Sequence, residues 1–492
     1  MAGHASVMTN LASLLESHPF ADDEELLLTI DRAVTVGEAR NQARAFAAEL
    51  KANGVEPGQA IIVQRPNSPE AVVAMVGTWL AGAVYVPAGI RQPRAEVEAS
   101  ATIMKPAALI GPHGMDRSHS APARYGDDVA FVTWSSGTTG RPKAILHGHA
   151  AYLELLDRVL KPLRGQKSTE PPRPSGPSRP APNLIPVSLA LNAGIYNALF
   201  GLRAGAALVI MERFETRTFA RLVRRFAIRS TVLPPAAMTM LTGDDQIADL
   251  APLRYVRSIT APLSPLAARG FTEKFGVTVL NGYGLAEVGE VIGWTAADAR
   301  AHPEKVGAAG RPHPGVDVKV VGENGDAVAT ENAGELLVRP PRMASGYAGG
   351  DNLEDRIDFE GYVRTGDVAR CDADGFVWIE GRIDDVINRG GNKVFPEQVE
   401  DVLRLNPRVR DAAVVARRDD RLGQVPVAYV VGDATSAELN ALCRQHLAAY
   451  KVPVAFNEVA DLPRNEVGKV LRRVLAARDA TLAPSAPPPG IG

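Results

Sequence analysis

The sequence predicts an α/β protein with a large N-terminal domain of stacked α/β layers and a small β-barrel-like subdomain, followed by a small mobile α+β C-terminal domain. Three observations predict it. The 492 residues exceed what one compact core accommodates. Up to about residue 295, amphipathic helical patterns alternate with short apolar runs, the signature of α/β layers with largely parallel sheets. Beyond that the texture changes twice, first to hairpins and then to short mixed elements behind a polar hinge.

In the first region "GEARNQARAFAAELKANG", "HAAYLELLDRVLK", "TFARLVRRFA" and "PLAARGFTEKFG" carry helical spacing, whereas "AIIVQ", "AALIG", "VAFVTW", "ALVIM" and "TVLNGYG" read as buried strands. Between Ala71 and Ile90 the chain has no charge, long enough for a membrane helix. Gly77, Gly82 and Pro87 interrupt it, and "GAVYVPAG" is β-branched and aromatic, so a helix from Pro69 to about Ala81 followed by a buried strand is the better reading. From Val306 to about Trp378, "DVKVV", "GELLVRP" and "GFVWIEG" alternate with turns such as "GENGD" and "DADG". After "EGRIDD" come a helix near Glu397 to Arg404, strands "DAAVVARR" and "VPVAYVV", and a helix "SAELNALCRQHLAAY". The predicted boundaries are 1–383 for the first domain, with its β-rich part at about 306–378, and 384–480 for the second. "PPRPSGPSRPAPN" (Pro171 to Asn183) reads as a surface loop and 481–492 as a disordered tail.

With 54 basic and 56 acidic residues the net charge is -2, so no field draws the chain to nucleic acid or an acidic membrane. Small molecules or other proteins are the expected partners. Cys371 and Cys443 have no CxxC spacing and no surrounding His cluster, which argues against a disulfide framework and a zinc site and fits a reducing cytoplasm. The start "MAGHASVMTN" has neither a cationic region nor an apolar signal core. The expectation is a cytoplasmic protein without integral membrane association; a homodimer is left open.

The chemistry starts at "TWSSGTTGRPKAILHG", Thr133 to Gly148. Its glycines can turn backbone N–H groups toward an anion, Ser135, Ser136, Thr138 and Thr139 offer hydroxyl donors, and Lys143 offers a point charge, all of which suit phosphate. A nucleotide-binding P-loop is excluded by spacing, because Pro142 stands five residues after Gly137 and Ala144 follows Lys143. The loop lies between two apolar runs and so joins strands instead of opening a helix.

This stretch resembles the phosphate loop of the adenylate-forming superfamily, in its acyl-CoA and aryl-CoA synthetase branch, and further stretches follow in that family's order. "NGYGLAE" (Asn281 to Glu287) resembles its adenine and magnesium motif, "GELLVRPPRMASGY" its Gly-Glu-Leu strand and "YVRTGD" its ribose motif. "GRIDDVINRGGNKVFPEQVE" resembles its hinge, and "LPRNEVGKVLRR" its catalytic-lysine motif.

The resemblance implies MgATP and coenzyme A as cosubstrates and a carboxylate that attacks the α-phosphate, a reaction governed by positioning and electrostatic stabilisation. It places Ser135, Ser136, Gly137, Thr138, Thr139, Gly140 and Lys143 around the departing pyrophosphate. Tyr283 would stack on adenine between Gly282 and Gly284, with Glu287 holding Mg2+ as a hard carboxylate ligand. Asp367 would accept the ribose hydroxyls, assisted by Arg382. Lys469 would bridge the substrate carboxylate and the α-phosphate, Asp384 would be the hinge, and Gly391 would line the pantetheine tunnel. Taken without the resemblance, Tyr283 reads as core, Glu287 as surface, Asp367 as a turn residue, Arg382 as part of a surface ion pair and Lys469 as solvated.

Three positions depart from the family pattern. Ala286 replaces the usual Thr before the magnesium Glu; a lost charge-directed hydrogen bond there costs about 1.5 to 3 kcal/mol, slowing adenylation without abolishing it. Asn465 replaces a Thr, mildly. Leu189 or Leu191 falls where the family commonly has an aromatic and a His. With Asn192, Gly194, Ile259 and Ala261 as further walls, the pocket favours a hydrophobic carboxylic acid, whether fatty, aryl or sterol-derived. His147 and His149 read as structural, since an ionised carboxylate needs no base. The leading expectation is an AMP-forming acid:CoA ligase. The alternatives are an enzyme loading a carrier protein's phosphopantetheine arm, and a non-catalytic binder of nucleotide or acyl-adenylate.

Overall fold

The computed structural model describes residues 10–118, 120–135, 143–165, 179–350, 352–464 and 470–482. The loop residues Ser136 to Pro142, most of the Pro-rich segment, Asn465 to Lys469 and the C-terminal tail lie outside them. The chain divides into two compact units. The first comprises the chain up to Leu263 with 267–317 and 338–363; the second comprises 264–266, 318–337 and everything from Arg364 on.

Two sheets organise the first unit, and both are parallel inside with antiparallel edges. The larger runs in the order Arg311–Pro312, Gly289–Gly293, Thr278–Leu285, Tyr255–Ser258, Ser230–Leu233, Asn183–Ile185, Leu208–Ile210, Glu25–Leu28, Ala33–Thr35. Its strands from Glu25–Leu28 across to Thr278–Leu285 pair in parallel, and the remaining pairs are antiparallel. The other runs Gly346–Ala348, Lys143–Gly148, Val129–Ser135, Val84–Gly89, Ala60–Arg65, Ala108–Gly111, Gly114–Arg117. The uncharged span resolves into a helix, Pro69–Leu80, and the buried strand Val84–Gly89. No helix among the described residues is long and apolar enough to cross a membrane.

Local sequence accounts for these elements. The helix Val36–Ala52 starts at Thr35, whose hydroxyl accepts from Glu38 N while Glu38 reaches back to Thr35 N, and it buries Val36, Ala39, Ala43, Ala47 and Leu50 on one face. That face meets Pro69–Leu80 at Gly77, where a Cβ would stand 2.7 Å from the Ala43 carbonyl oxygen. Gly77, which reads as punctuation in the sequence, is the point at which two helices touch through backbone.

The second unit contains a four-stranded sheet, Asp317–Val321, Gly334–Arg339, Val363–Cys371, Val377–Arg382, built from the β-rich segment. Its other sheet runs Asn392–Val394, Ile387–Arg389, Gly423–Gly432, Val409–Asp419, with Ala455–Glu458 parallel to Gly423–Gly432. The helices Pro396–Leu403 and Ser436–His446 pack against it through Val399, Leu403, Leu439 and Cys443. The latter helix is shorter than its pattern predicts because Leu447 turns extended (φ -124, ψ 149) and packs on the core, leaving Ala449–Lys451 as a separate turn.

Candidate active site

In the first unit, Val129–Ser135 and Lys143–Gly148 are antiparallel neighbours with Ser135 opposite Lys143, so the Gly-rich loop does connect two strands. Of the residues assigned to phosphate, Ser135 and Lys143 stand at its two ends. Ser136, Gly137, Thr138, Thr139 and Gly140 lie outside the described residues. The Lys143 ammonium sits 5.1 Å from the centre of the Tyr347 ring. Behind the loop, His147 stacks on Phe131 and shares a 2.7 Å hydrogen bond with Thr133 Oγ1. Burial pushes its pKa down to about 3, and that of His149, which accepts from Leu11 N, to about 4. Both imidazoles are therefore neutral packing groups.

The hairpin Thr278–Leu285 and Gly289–Gly293 carries the adenine and magnesium motif. Gly284 faces its partner strand so closely that a Cβ would fall 2.1 Å from the Gly289 carbonyl oxygen, and Gly289 itself turns at φ +68. Tyr283 lies opposite Ile292, and Gly282 N donates to Asn281 Oδ1 at 3.0 Å. At the turn, Ala286 packs on a small apolar cluster of Ile145, Ala344 and Leu353. The methyl group where the family has a hydroxyl thus has apolar neighbours of its own.

Glu287 is 5% exposed. Its Oε1 accepts from Tyr347 Oη at 2.7 Å and from Arg356 Nη1 at 2.8 Å, and its carbonyl accepts from Ala344 N at 2.7 Å. Burial opposes charge on Arg356, but Glu287 outweighs it and holds the guanidinium above its usual pKa; burial and the same carboxylate push Tyr347 up to about 12. Neither partner is visible as such in the sequence. Tyr347 ends the Gly-Glu-Leu stretch, and Arg356 in "NLEDRIDF" looks like an ordinary surface charge. The chain after Glu287 is clamped by buried Arg158, whose Nη2 donates to the Val288 and Glu290 carbonyls at 3.2 and 3.4 Å.

A lone buried carboxylate beside the phosphate loop's ends suits Mg2+, which is commonly held by one or two carboxylates together with substrate phosphates. Among the described residues no cluster of three or more metal-ligating side chains exists.

The expected acyl walls fall on neighbouring elements of the same unit. Leu191 precedes the helix Asn192–Ala204, and Asn192 Oδ1 accepts from Tyr152 Oη at 3.1 Å. Leu189 is buried, and Gly194 is required by packing, since a Cβ there would lie 2.0 Å from the Ser188 carbonyl oxygen. Ile259 is half-buried and Ala261 exposed, and they flank Thr260, a β-branched residue at φ +80. Such backbone strain concentrates at functional positions.

In the second unit Asp367 and Arg382 are direct cross-strand partners. Asp367 is 5% exposed and its Oδ1 lies 3.1 Å from Arg382 Nη1, while Thr365 Oγ1 accepts from Asp367 N and donates to the Leu336 carbonyl. Asp384 is exposed in the short turn Ile383–Asp385. Gly391 forms the tip of the hairpin joining Ile387–Arg389 and Asn392–Val394, with Gly390 at φ +57 and Gly391 at φ +87, and nothing stands within 4 Å of where its Cβ would be. Lys469 lies outside the described residues, just before Val470, which bridges to Arg464.

The description "AMP-binding enzyme" matches residues 18–124 and 112–348, and "AMP-binding enzyme C-terminal domain" matches 398–469. The chain belongs to this family of AMP-binding enzymes, in the acyl-CoA synthetase branch of the adenylate-forming superfamily, and is an AMP-forming acid:CoA ligase. It is 31% identical to a probable CoA ligase, CCL5, of Humulus lupulus over 73% of this chain and 66% of that one. It is 28% identical to the sulfoacetate–CoA ligase of Cupriavidus necator over 92% and 94% of the two chains. To 4-coumarate–CoA ligase 2 of Nicotiana tabacum it is 28% identical over 92% and 90%. In fold it is similar to ATP-bound MatB of Rhodopseudomonas palustris, with a TM-score of 0.83 at 24% identity over 96% of this chain and 99% of that one.

Proposed function

We propose that the enzyme activates a largely hydrophobic carboxylic acid as acyl-AMP and then transfers the acyl group to coenzyme A. The observation that carries this reading is Glu287, a buried carboxylate fixed by Tyr347 and Arg356 on the hairpin that presents Tyr283. In the first step a substrate carboxylate oxygen forms a bond to the α-phosphorus as the bond to pyrophosphate breaks. The acid is already ionised, so no base is needed, in keeping with neutral His147 and His149. Lys143 and the loop it closes hold the leaving pyrophosphate, Glu287 holds Mg2+, and Asp367 with Arg382 orients the ribose. The ion supplies positive charge against the phosphate oxygens.

In the second step the thiol of coenzyme A loses its proton, its sulfur attacks the acyl carbonyl and AMP departs. The domain beginning at Asp384 turns between the two steps, withdrawing Lys469 and presenting Gly391 to the pantetheine arm. A hydrophobic acid is supported by Leu189 and Ile259 and by the relatives named for 4-coumarate. A cytoplasmic site of action is supported by Cys371 and Cys443, both free thiols. Acid-dependent pyrophosphate release followed by appearance of acyl-CoA tests the proposal. Acylation of a carrier protein with no acyl-CoA formed would replace the acceptor, and nucleotide binding without turnover would end the enzyme reading.

A further inference from the structure

The first unit contains a buried polar network that none of the motifs accounts for. Glu290 Oε1 accepts from Arg257 Nη1 and, at 3.0 Å, from His313 Nε2; its Oε2 accepts from Tyr196 Oη at 3.2 Å. Glu290, His313 and Tyr196 are all buried, and 12% of the Arg257 side chain remains exposed. The network joins the elements that carry the expected acyl walls. Tyr196 belongs to the helix of Asn192 and Gly194, and Arg257 stands two residues before Ile259 and three before the strained Thr260. Glu290 lies under Gly282, where a Cβ would come within 3.2 Å of its Oε1. The missing side chain at Gly282 leaves that carboxylate approachable from the nucleotide motif.

Hydrogen-bond arithmetic shows what this network can still accept. The Glu290 oxygens already take three donors. Arg257 has a further N–H edge at Nε and Nη2, with no protein acceptor on it among the described residues. The spare capacity is therefore that of a donor. Its charge is offset by the adjoining carboxylate, and buried Arg158, which donates to the Glu290 carbonyl, is paired with Glu154, so a second anion placed there would gain little from the field and would have to shed its hydration. A neutral oxygen would not.

We propose that Arg257, held in place by Glu290, is a specificity-determining residue at the far end of the acyl site. It recognises a neutral hydrogen-bond acceptor, a hydroxyl, ether or keto oxygen, on an otherwise apolar acid. This rests on the acid:CoA ligase reading. The side chain donates from its free edge to that oxygen, and an acid lacking the oxygen leaves the guanidinium edge buried and unsatisfied.

The test uses the full-length enzyme with matched pairs of aryl, phenylalkyl and straight-chain acids, each pair differing only by hydrogen or oxygen at the end remote from the carboxylate. The readout is kcat/KM for pyrophosphate release. The oxygenated member should be favoured about tenfold to a hundredfold, the worth of one hydrogen bond to a charged group. Arg257→Lys keeps the charge opposite Glu290 but loses the planar second edge, and should shrink that ratio toward one. Because this variant could also perturb folding, the wild type is assayed with a third set carrying a second carboxylate instead, which should be poorer than the neutral oxygen. Equal use of both members by the wild type, an undiminished ratio in R257K, or preference for the diacid would overturn the proposal. Pyrophosphate release from no acid at all would overturn the ligase reading and this inference with it.

Discussion

The Arg356 guanidinium lies 2.8 Å from the Glu287 carboxylate, 69 residues away in sequence, and occupies one oxygen of the group proposed to hold Mg2+. If Glu287 holds Mg2+ during turnover, as proposed, the ion and the Arg356 guanidinium compete for the same carboxylate. Arg356→Met should lower stability by about 1 to 3 kcal/mol, because Glu287 is left buried without its charged donor. With ATP present, Mg2+ should recover more of that loss in the variant than it adds to the wild type, as a ligand bound only by the folded state does. Melting curves in ATP with and without Mg2+ check this; an equal Mg2+ response in both proteins would contradict it.

Ala286 sets up a second comparison. Restoring the family's hydroxyl by Ala286→Thr places a polar group against Ile145, Ala344 and Leu353. The expected outcome is a stability loss of about 1 kcal/mol, with any gain in adenylation rate limited to what a hydroxyl reaching the phosphate supplies. Denaturant midpoints and single-turnover rates of acyl-AMP formation separate the two effects.

Glu397 makes stability depend on pH. Burial raises its pKa to about 7, with Glu400 adding to the rise and Arg472 opposing it. Between the ordinary carboxylate range and that value the folded chain binds the proton more tightly than the unfolded chain does. Stability should therefore be greatest below this window, fall as pH rises through it, and level off above it. Glu397→Gln should flatten that slope in urea midpoints measured from pH 5 to 8.

Gly391 distinguishes strain from function. Gly391→Ala meets no neighbour but must adopt φ +87, which costs about 1 kcal/mol. If the residue lines the pantetheine path, thioester formation from supplied acyl-AMP should fall further than stability does, while acyl-AMP formation is spared. Parallel loss of both half-reactions would assign the glycine to the turn alone.

What the sequence made legible follows from locality. The helix Pro69–Leu80 and the strand Val84–Gly89 come from short-range patterns, and the association of Asp367 with Arg382 from the resemblance of contiguous motifs; their cross-strand register comes only with the fold. The partners of Glu287 and Glu290 do not. Arg356, Tyr347, Arg257, Tyr196 and His313 reach these carboxylates only through tertiary pairing, and each looks ordinary in its own stretch. The same holds for the packing glycines. Gly77 and Gly194 are fixed by carbonyl oxygens brought close by folding, and no periodicity reveals that.

The most direct test of the account is acyl-AMP formation and thioester formation assayed separately in wild type and Lys469→Ala. The account predicts that the wild type releases pyrophosphate only when acid is present, that Lys469→Ala loses this step, and that the variant still converts supplied acyl-AMP and coenzyme A to acyl-CoA. ATP binding without acid-dependent pyrophosphate release in the wild type, or equal loss of both steps in the variant, would contradict it.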